Sequence, residues 1–458
     1  MHMPRKLIKN AKIVSAQGIE PGDILIEREK ILQIGKNLQD KEARVFDAGG
    51  KYVFPGFIDA HTHMGVPIRG TRSADDFSSG SLAALYGGVT TIIDFTVQEK
   101  GQSLADSIVQ RKKEADGRSS VDYALHCNVT DLDEKRLKEI PAIVKQGIVS
   151  FKVFTAYREA GMQLDDRQIL DLLWEVKQAG GTVMFHAENG DIISFLSDAF
   201  VRQGDTDAIF HAHSRPVLAE VEAVSRMVTL NQFIQCPLYF VHLTAAESVQ
   251  IAAMAKQGGQ NVYLETCPQY LLFDQSVYER EDGYRYIAAP PFRSKKDSDY
   301  LWQALQKGEI DVVGTDHCPF TLEQKEMGGR QFHLTPNGLP GVETLFALLY
   351  SEGVRKKRLS MERLVSLIAE EPARLFGLFP QKGILMEGAD ADLVIFNPDA
   401  EETISAAKLH SATDWTPYEG FESKGKIESV MLRGQWLLRD GILQDDNLRK
   451  GRFVPALL

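Results

Sequence analysis

Two histidines, His61 and His63, follow an apolar run directly in Gly56-Phe-Ile-Asp-Ala-His-Thr-His63. In an extended chain, residues two apart point to the same face, so both imidazoles can reach one point just past the end of a strand. Aimed imidazole nitrogens suit a borderline-soft divalent cation such as zinc. The pair alone is also a common chance pattern, so the rest of the chain has to decide. Four further polar residues lie within or close short apolar runs: Lys152 in Ser150-Phe-Lys-Val-Phe-Thr-Ala-Tyr157, His186 in Met184-Phe-His-Ala-Glu-Asn189, His242 in Tyr239-Phe-Val-His-Leu-Thr244, and Asp316 in Val312-Val-Gly-Thr-Asp-His-Cys318. Lys152 stands out, because an ammonium between Phe151 and Val153 is costly to desolvate. Carbamylation by CO2 would turn that cation into a carboxylate able to bridge two metals. The remaining histidines get structural readings: His126 within a strand, His211 and His213 in a loop, His333 and His410 in irregular segments. His317 is the best of them for a supporting contact to a ligand. His2, at the extreme N-terminus, is assigned no role.

These residues need elements that bring them together. Runs at 53–59, 89–95, 121–127, 148–154, 182–186, 238–242, 261–265 and 311–315 are short, apolar and rich in β-branched residues. Helix-like stretches at 74–85, 131–145, 166–179, 217–229, 245–256 and 296–305 separate them. Strands alternating with helices in this way predict an α/β fold, a (β/α)8 TIM barrel, whose active site collects at the carboxyl ends of the strands. An open doubly wound sheet is the alternative, but no GxGxxG turn follows the first strand. Both chain ends read differently, as short strands broken by Gly and Asp turns: 6–13, 23–27, 30–34 and 43–47 at one end, 383–385, 391–396 and 427–432 at the other. They predict a small β-sandwich domain from residues 1–54 plus 378–458, around a barrel of residues 55–377. A last amphipathic helix, 361–377, returns the chain to it.

The totals set bounds. A chain of 458 residues exceeds one small core, and 43% hydrophobic with 25% charged residues describes an ordinary globular protein. A formal net charge of −11 argues against a nucleic-acid or anionic-membrane partner. Cys127, Cys236, Cys267 and Cys318 are scattered without a CxxC pair, which fits a reduced, cytoplasmic setting. No stretch has the ~18 apolar residues of a membrane span, and the N-terminal residues lack an apolar signal core.

The ordered set of HxH, lysine, two later histidines and aspartate resembles the dihydropyrimidinase/hydantoinase family of cyclic amidohydrolases. The resemblance runs over essentially the whole chain. It is carried most specifically by Gly70-Thr-Arg-Ser-Ala-Asp-Asp-Phe77, Ser150–Tyr157, Glu265-Thr-Cys-Pro-Gln-Tyr270 and Pro336-Asn-Gly338, the last two of which are expected to carry no metal chemistry. It implies two divalent metal ions, zinc by preference. His61, His63 and Asp316 would be ligands of the more buried one, His186 and His242 of the second, with carboxylated Lys152 bridging. It further implies Tyr157 as the phenol that steadies an oxyanion, Ala289 and Asn337 as backbone contacts to the substrate ring, and a homotetramer. The implied reaction is hydrolysis of the cyclic amide of hydantoins or dihydropyrimidines, giving an N-carbamoyl amino acid. A metal-bridging hydroxide would attack, and Asp316 would shuttle the proton. Loops 64–68 and 154–162 are largely apolar, which suits an apolar substituent on the ring.

The chain also departs from the family pattern. Ala289-Pro-Pro-Phe-Arg293 replaces the usual Ser-Pro-Pro-Leu-Arg, and Thr315-Asp-His-Cys-Pro319 is similar to allantoinases and dihydroorotases. Allantoinase is therefore the alternative reading. No arginine stands between His63 and Arg69 to grip a ring carboxylate, so dihydroorotase falls behind. All six ligand positions are filled, which sets aside the non-catalytic scaffolds of this fold.

Overall fold

Eight wholly or mostly buried strands form a parallel sheet in which each pairs with the next: Phe57–Thr62, Val89–Phe95, Asp122–Asn128, Ser150–Phe154, Thr182–His186, Leu238–Phe240, Val262–Thr266 and Val312–Val313. Runs such as Val-Thr-Thr-Ile-Ile-Asp-Phe are buried along their whole length, as parallel strands covered on both faces must be. The computed structural model describes residues 5–445 and 448–457, so His2 lies outside them. The last strand meets the first through its loop. His63 N–H donates to His317 O at 2.9 Å, and Asp59 accepts from Thr315 N–H at 3.1 Å and from its hydroxyl at 2.5 Å. Burial pushes the Asp59 carboxyl up to about 7, against those donated bonds. The nearly closed barrel is thus tied beside the predicted ligands His61, His63 and Asp316.

Local signals set the helices. Asp166–Ala179 begins with a reciprocal Asp165/Gln168 capping box and ends at Gly180 with φ 81°. Lys295–Lys307 repeats the device with Ser294, Asp297 and Gly308. Several expectations shift. The run 53–59 is two strands: Tyr52–Pro55 pairs with Leu393–Phe396, whereas Phe57–Thr62 enters the barrel. Pro55 offers no N–H, and a Cβ on Gly56 would lie 2.0 Å from Thr90 Oγ1, so the chain breaks there. The stretch 131–145 holds two short helices, Glu134–Leu137 and Ile140–Lys145. Helix 361–377 is interrupted by a π-helical turn, Ser366–Glu370, just before Pro372. His211 and His213 sit in helix Ile209–Ser214 rather than in a loop, and 383–385 is not a strand.

Both chain ends contribute to one nine-stranded mixed sheet. Ile8, Ile24 and Val53 from its N-terminal strands meet Leu393, Ile395 and Met431 from its C-terminal ones in a single apolar cluster. Where this sheet approaches the barrel floor, Lys382 Nζ lies 2.6, 3.0 and 2.7 Å from Asp122, Asp390 and Asp392. Those three carboxylates could in principle hold a cation. They already hold an ammonium.

Candidate metal centre and substrate cavity

At the mouth of the barrel, the strand ends aim six donors at one space. His61 Nε2 and His63 Nε2 are 3.2 Å apart, and both face Asp316 Oδ1, at 3.2 and 3.0 Å. His186 Nδ1 and His242 Nε2 form a second pair at 3.1 Å. His61, His242 and Asp316 also present ligand atoms within 4.8 Å of one another. Lys152 comes in from the fourth strand. Among the described residues none gives its Nζ a hydrogen bond or ion pair; its neighbours are the Phe95 and Phe154 rings, centred 5.3 and 5.4 Å away. Burial lowers this amine to about 8, against the pull of Glu265 and Asp316.

The donor set suits a divalent cation. Burial drives His61 and His242 well below the ordinary imidazole value and lowers His186, so all three offer neutral lone pairs. Asp316 resists burial because His61 and His63 hold its carboxyl below the usual range. The ring nitrogens turned away from the cavity are fastened from behind. His61 Nδ1 meets Glu265 Oε1 at 2.6 Å, and His186 Nε2 meets Glu188 Oε2 at 2.7 Å, an arrangement that fixes the tautomer of a ligating imidazole. Glu265 also accepts from Tyr239 O–H at 2.8 Å and His242 N–H at 3.0 Å, while Arg215 at 2.5 Å helps hold Glu188 at about 2 in spite of burial. A Cβ on Gly314 would come within 2.9 Å of His61 Cβ, so glycine leaves room for that ligand.

All nine predicted site residues line one cavity of about 590 Å3. Val66, Pro67, Ile68, Phe154, Ala160 and Met162 give it apolar lining, and Ala289, Asn337 and Gly338 line it as well. Met64, expected near the substituent, is buried instead, its N–H held by Asp94 at 2.9 Å. Burial keeps the Tyr157 phenol protonated, pushing it up to about 12. Asn337 Oδ1 is buried without a hydrogen-bond partner among the described residues. Arg69, Tyr157, His242 and Asp316, four of the twelve described non-glycine residues with left-handed backbone, line this cavity. Such backbone strain concentrates at functional sites.

The other histidines hold structure. His126 lies between Ser150 Oγ and Ala60 O, at 2.5 and 3.0 Å. His317 bridges Asp75 at 3.0 Å and the N–H groups of Gly341 and Val342, and touches the ligand strand through backbone. Sequence reasoning missed Glu265, Glu188, Arg215 and Lys325. Glu265 lies in the stretch expected to carry no metal chemistry, yet it meets Nδ1 of His61, a predicted ligand. Lys325 Nζ donates to Ile287 O at 2.8 Å and Pro336 O at 2.9 Å, tying together the segments that carry Ala289 and Asn337.

The Amidohydrolase family model matches residues 52–437, more than half of the chain. The chain belongs to the amidohydrolase family. Within it, the chain is of the hydantoinase/dihydropyrimidinase kind. It is 44% identical to a D-hydantoinase of Geobacillus stearothermophilus over 95% of this chain and 93% of that one. It is 42% identical to a D-hydantoinase of Ralstonia pickettii, covering 95% of each. The crystal structure of dihydropyrimidinase from Brevibacillus agri NCHU1002 superposes with a TM-score of 0.97 at 41% identity, over 99% of this chain and 98% of that one. This amidohydrolase has four buried thiols, with no disulfide among the described residues. No helix among those residues is long and apolar enough to cross a membrane.

Proposed function

We propose that the protein hydrolyses the cyclic amide bond of hydantoins or dihydropyrimidines and releases an N-carbamoyl amino acid. The observation that carries this reading is the convergence of six donors on one side of a cavity whose other wall is apolar. His61, His63 and Asp316 would hold one divalent cation and His186 and His242 another, with carboxylated Lys152 reaching both; zinc suits the nitrogen-rich set. When bound, such cations polarise an amide carbonyl and lower the pKa of water from ~15.7 toward ~7. The Lys152 amine, unpartnered and easily deprotonated, adds to CO2 with loss of a proton, giving an anionic carbamate in place of a buried cation. Asp316 accepts the proton of the attacking water and returns it to the ring nitrogen that leaves. Tyr157 donates its O–H to the charge that develops on the carbonyl oxygen. Backbone groups at Ala289 and Asn337 orient the ring, and Phe154, Ile68 and Met162 cover its substituent.

The same reading takes residues 1–54 with 378–458 as one β unit around a catalytic barrel of 55–377, in a cytoplasmic homotetramer. One panel tests the chemistry: kcat/KM of the zinc-loaded protein for dihydrouracil, both enantiomers of a 5-aryl hydantoin, allantoin and dihydroorotate. Hydantoins or dihydrouracil should lead. A preference for allantoin or dihydroorotate, or no ring opening at all, overturns the assignment.

A further inference from the structure

Arg69 stands at the mouth of the substrate cavity, beside the apolar wall and on the same lining as Tyr157. We infer that Arg69 selects ring substrates whose exocyclic substituent ends in a carboxylate, as in hydantoins derived from acidic amino acids. This inference rests on the ring-opening reading and adds the substituent class to it.

The arginines around the mouth are not alike. Arg215 is paired with Glu188 at 2.5 Å, Arg158 with Asp191 at 2.8 Å, and Arg72 Nη1 donates to Gly65 O at 2.8 Å. Among the described residues Arg69 has neither a hydrogen-bond nor an ion-pair partner. Of the two acids that share the cavity lining, Asp316 faces His61 and His63, and Glu159 accepts from Ser194 O–H at 2.6 Å. Arg69 is exposed at the surface, and its charge reaches Tyr157, His333 and the like charge of Arg215. A cation without a carboxylate partner at the entrance of a cavity attracts an incoming anion.

The backbone adds a second observation. Arg69-Gly70 is the two-residue loop of a hairpin joining Pro67–Ile68 to Thr71–Arg72, with φ of 49° and 78°. Positive φ at both loop positions favours Asn, Asp or Gly at the first, and a long side chain there is disfavoured. The hairpin is also anchored rather than free: Gln324 Nε2 donates to Thr71 Oγ1 at 2.7 Å and Arg72 O at 2.8 Å, and Ser73 Oγ donates to His63 O at 2.7 Å. A residue type that breaks a local preference on an anchored turn, aimed at a cavity, points to a ligand. Arg69 sits at the mouth and not beside the donors, so it meets the tail of a substituent and not a carboxylate on the ring itself. The guanidinium fork matches a carboxylate with two parallel N–H bonds.

The test compares two isosteric substrates, 5-(2-carboxyethyl)hydantoin and 5-(2-carbamoylethyl)hydantoin, with 5-phenylhydantoin as a neutral reference. The zinc-loaded wild-type protein should favour the carboxylate over the carboxamide about tenfold or more in kcat/KM, at the low end for a charge-assisted bond at a partly wet site. In Arg69→Asn, which places a favoured residue in the turn, that ratio should fall toward one, with the change in KM rather than kcat. Arg69→Lys should fall between. A ratio near one in the wild type, or one that Arg69→Asn leaves unchanged, overturns the inference while ring opening stands. Failure to open any of the three rings overturns ring opening itself, and the inference with it.

Discussion

The mouth and the floor of the barrel each bury a lysine to 2% exposure and treat it in opposite ways. At the floor, Lys382 lies within 3.0 Å of three carboxylates, and their charges raise its amine well above the ordinary value despite burial. At the mouth, Lys152 has two aromatic rings and, among the described residues, no hydrogen-bonding partner, and burial lowers its amine to about 8. A paired ammonium is an inert cross-link. An unpaired one is partly free amine near neutral pH and can react. Stability at one end and reactivity at the other is the division of labour that barrels allow.

Removing each lysine should break that comparison most visibly. Lys152→Ala should lose bound metal and activity together, by about 10³-fold or more if the hydroxide-forming cations go with it, with partial rescue by a short carboxylic acid. The metal-free variant should unfold no more easily than metal-free wild type, because a buried amine without partners contributes no stability. Full metal content and rate in that variant would remove Lys152 from the centre.

Lys382→Met should do the reverse. It leaves Asp392 without a cation, and Asp122 and Asp390 with only Arg433 and Lys30, and should cost about 3 kcal/mol of stability, seen in calorimetry as a lower Tm. Metal content and kcat of the folded fraction should stay at wild-type values. A variant as stable as wild type would mean that the floor cluster is not a cross-link.

Tyr157 sharpens the contrast within the mouth. Tyr157→Phe removes only an O–H that burial holds protonated, so kcat should fall by about 10²–10³ while metal content and Tm stay put. An unchanged kcat excludes Tyr157 from the oxyanion's surroundings.

The difference between the two ends also explains what could be read from the chain. The six donors were legible because each lies in or closes a short apolar run, and one barrel brings all such ends together. Glu265 closes a strand just as Asp316 lies beyond one, but only the fold says that it backs His61 instead of facing the cavity. Lys382 and Asp122 are separated by 260 residues, and neither local sequence hints at the other. The break at Pro55-Gly56 was hidden inside what reads as one apolar run, because its halves pair with different sheets. Lys325 was the least visible. Thr321-Leu-Glu-Gln-Lys-Glu326 reads as one exposed polar turn of helix, yet the segments around Ile287 and Pro336 fold over Lys325 and leave it 0% exposed.

Lys325 is a third treatment of a buried lysine, and it makes the smallest prediction per unit of pH. Its ammonium has two carbonyl acceptors and no carboxylate, and burial lowers it to about 7. An unfolded chain carries the ordinary value near 10.5. Between those two values the unfolded state binds more protons than the folded one, so this group makes stability rise with pH, by at most about 1.4 kcal/mol per unit. Below about 7 both states are protonated and its contribution is flat at its least favourable level. Lys325→Met isolates the effect from other groups titrating in the same window. The stability difference, wild type minus variant, measured by denaturant unfolding from pH 6 to 10, should be level to about 7 and then climb. A difference that stays level all the way to pH 10 would mean that the carbonyls of Ile287 and Pro336 hold the ammonium charged, in which case Lys325 belongs with Lys382 as a cross-link and only Lys152 remains primed to react.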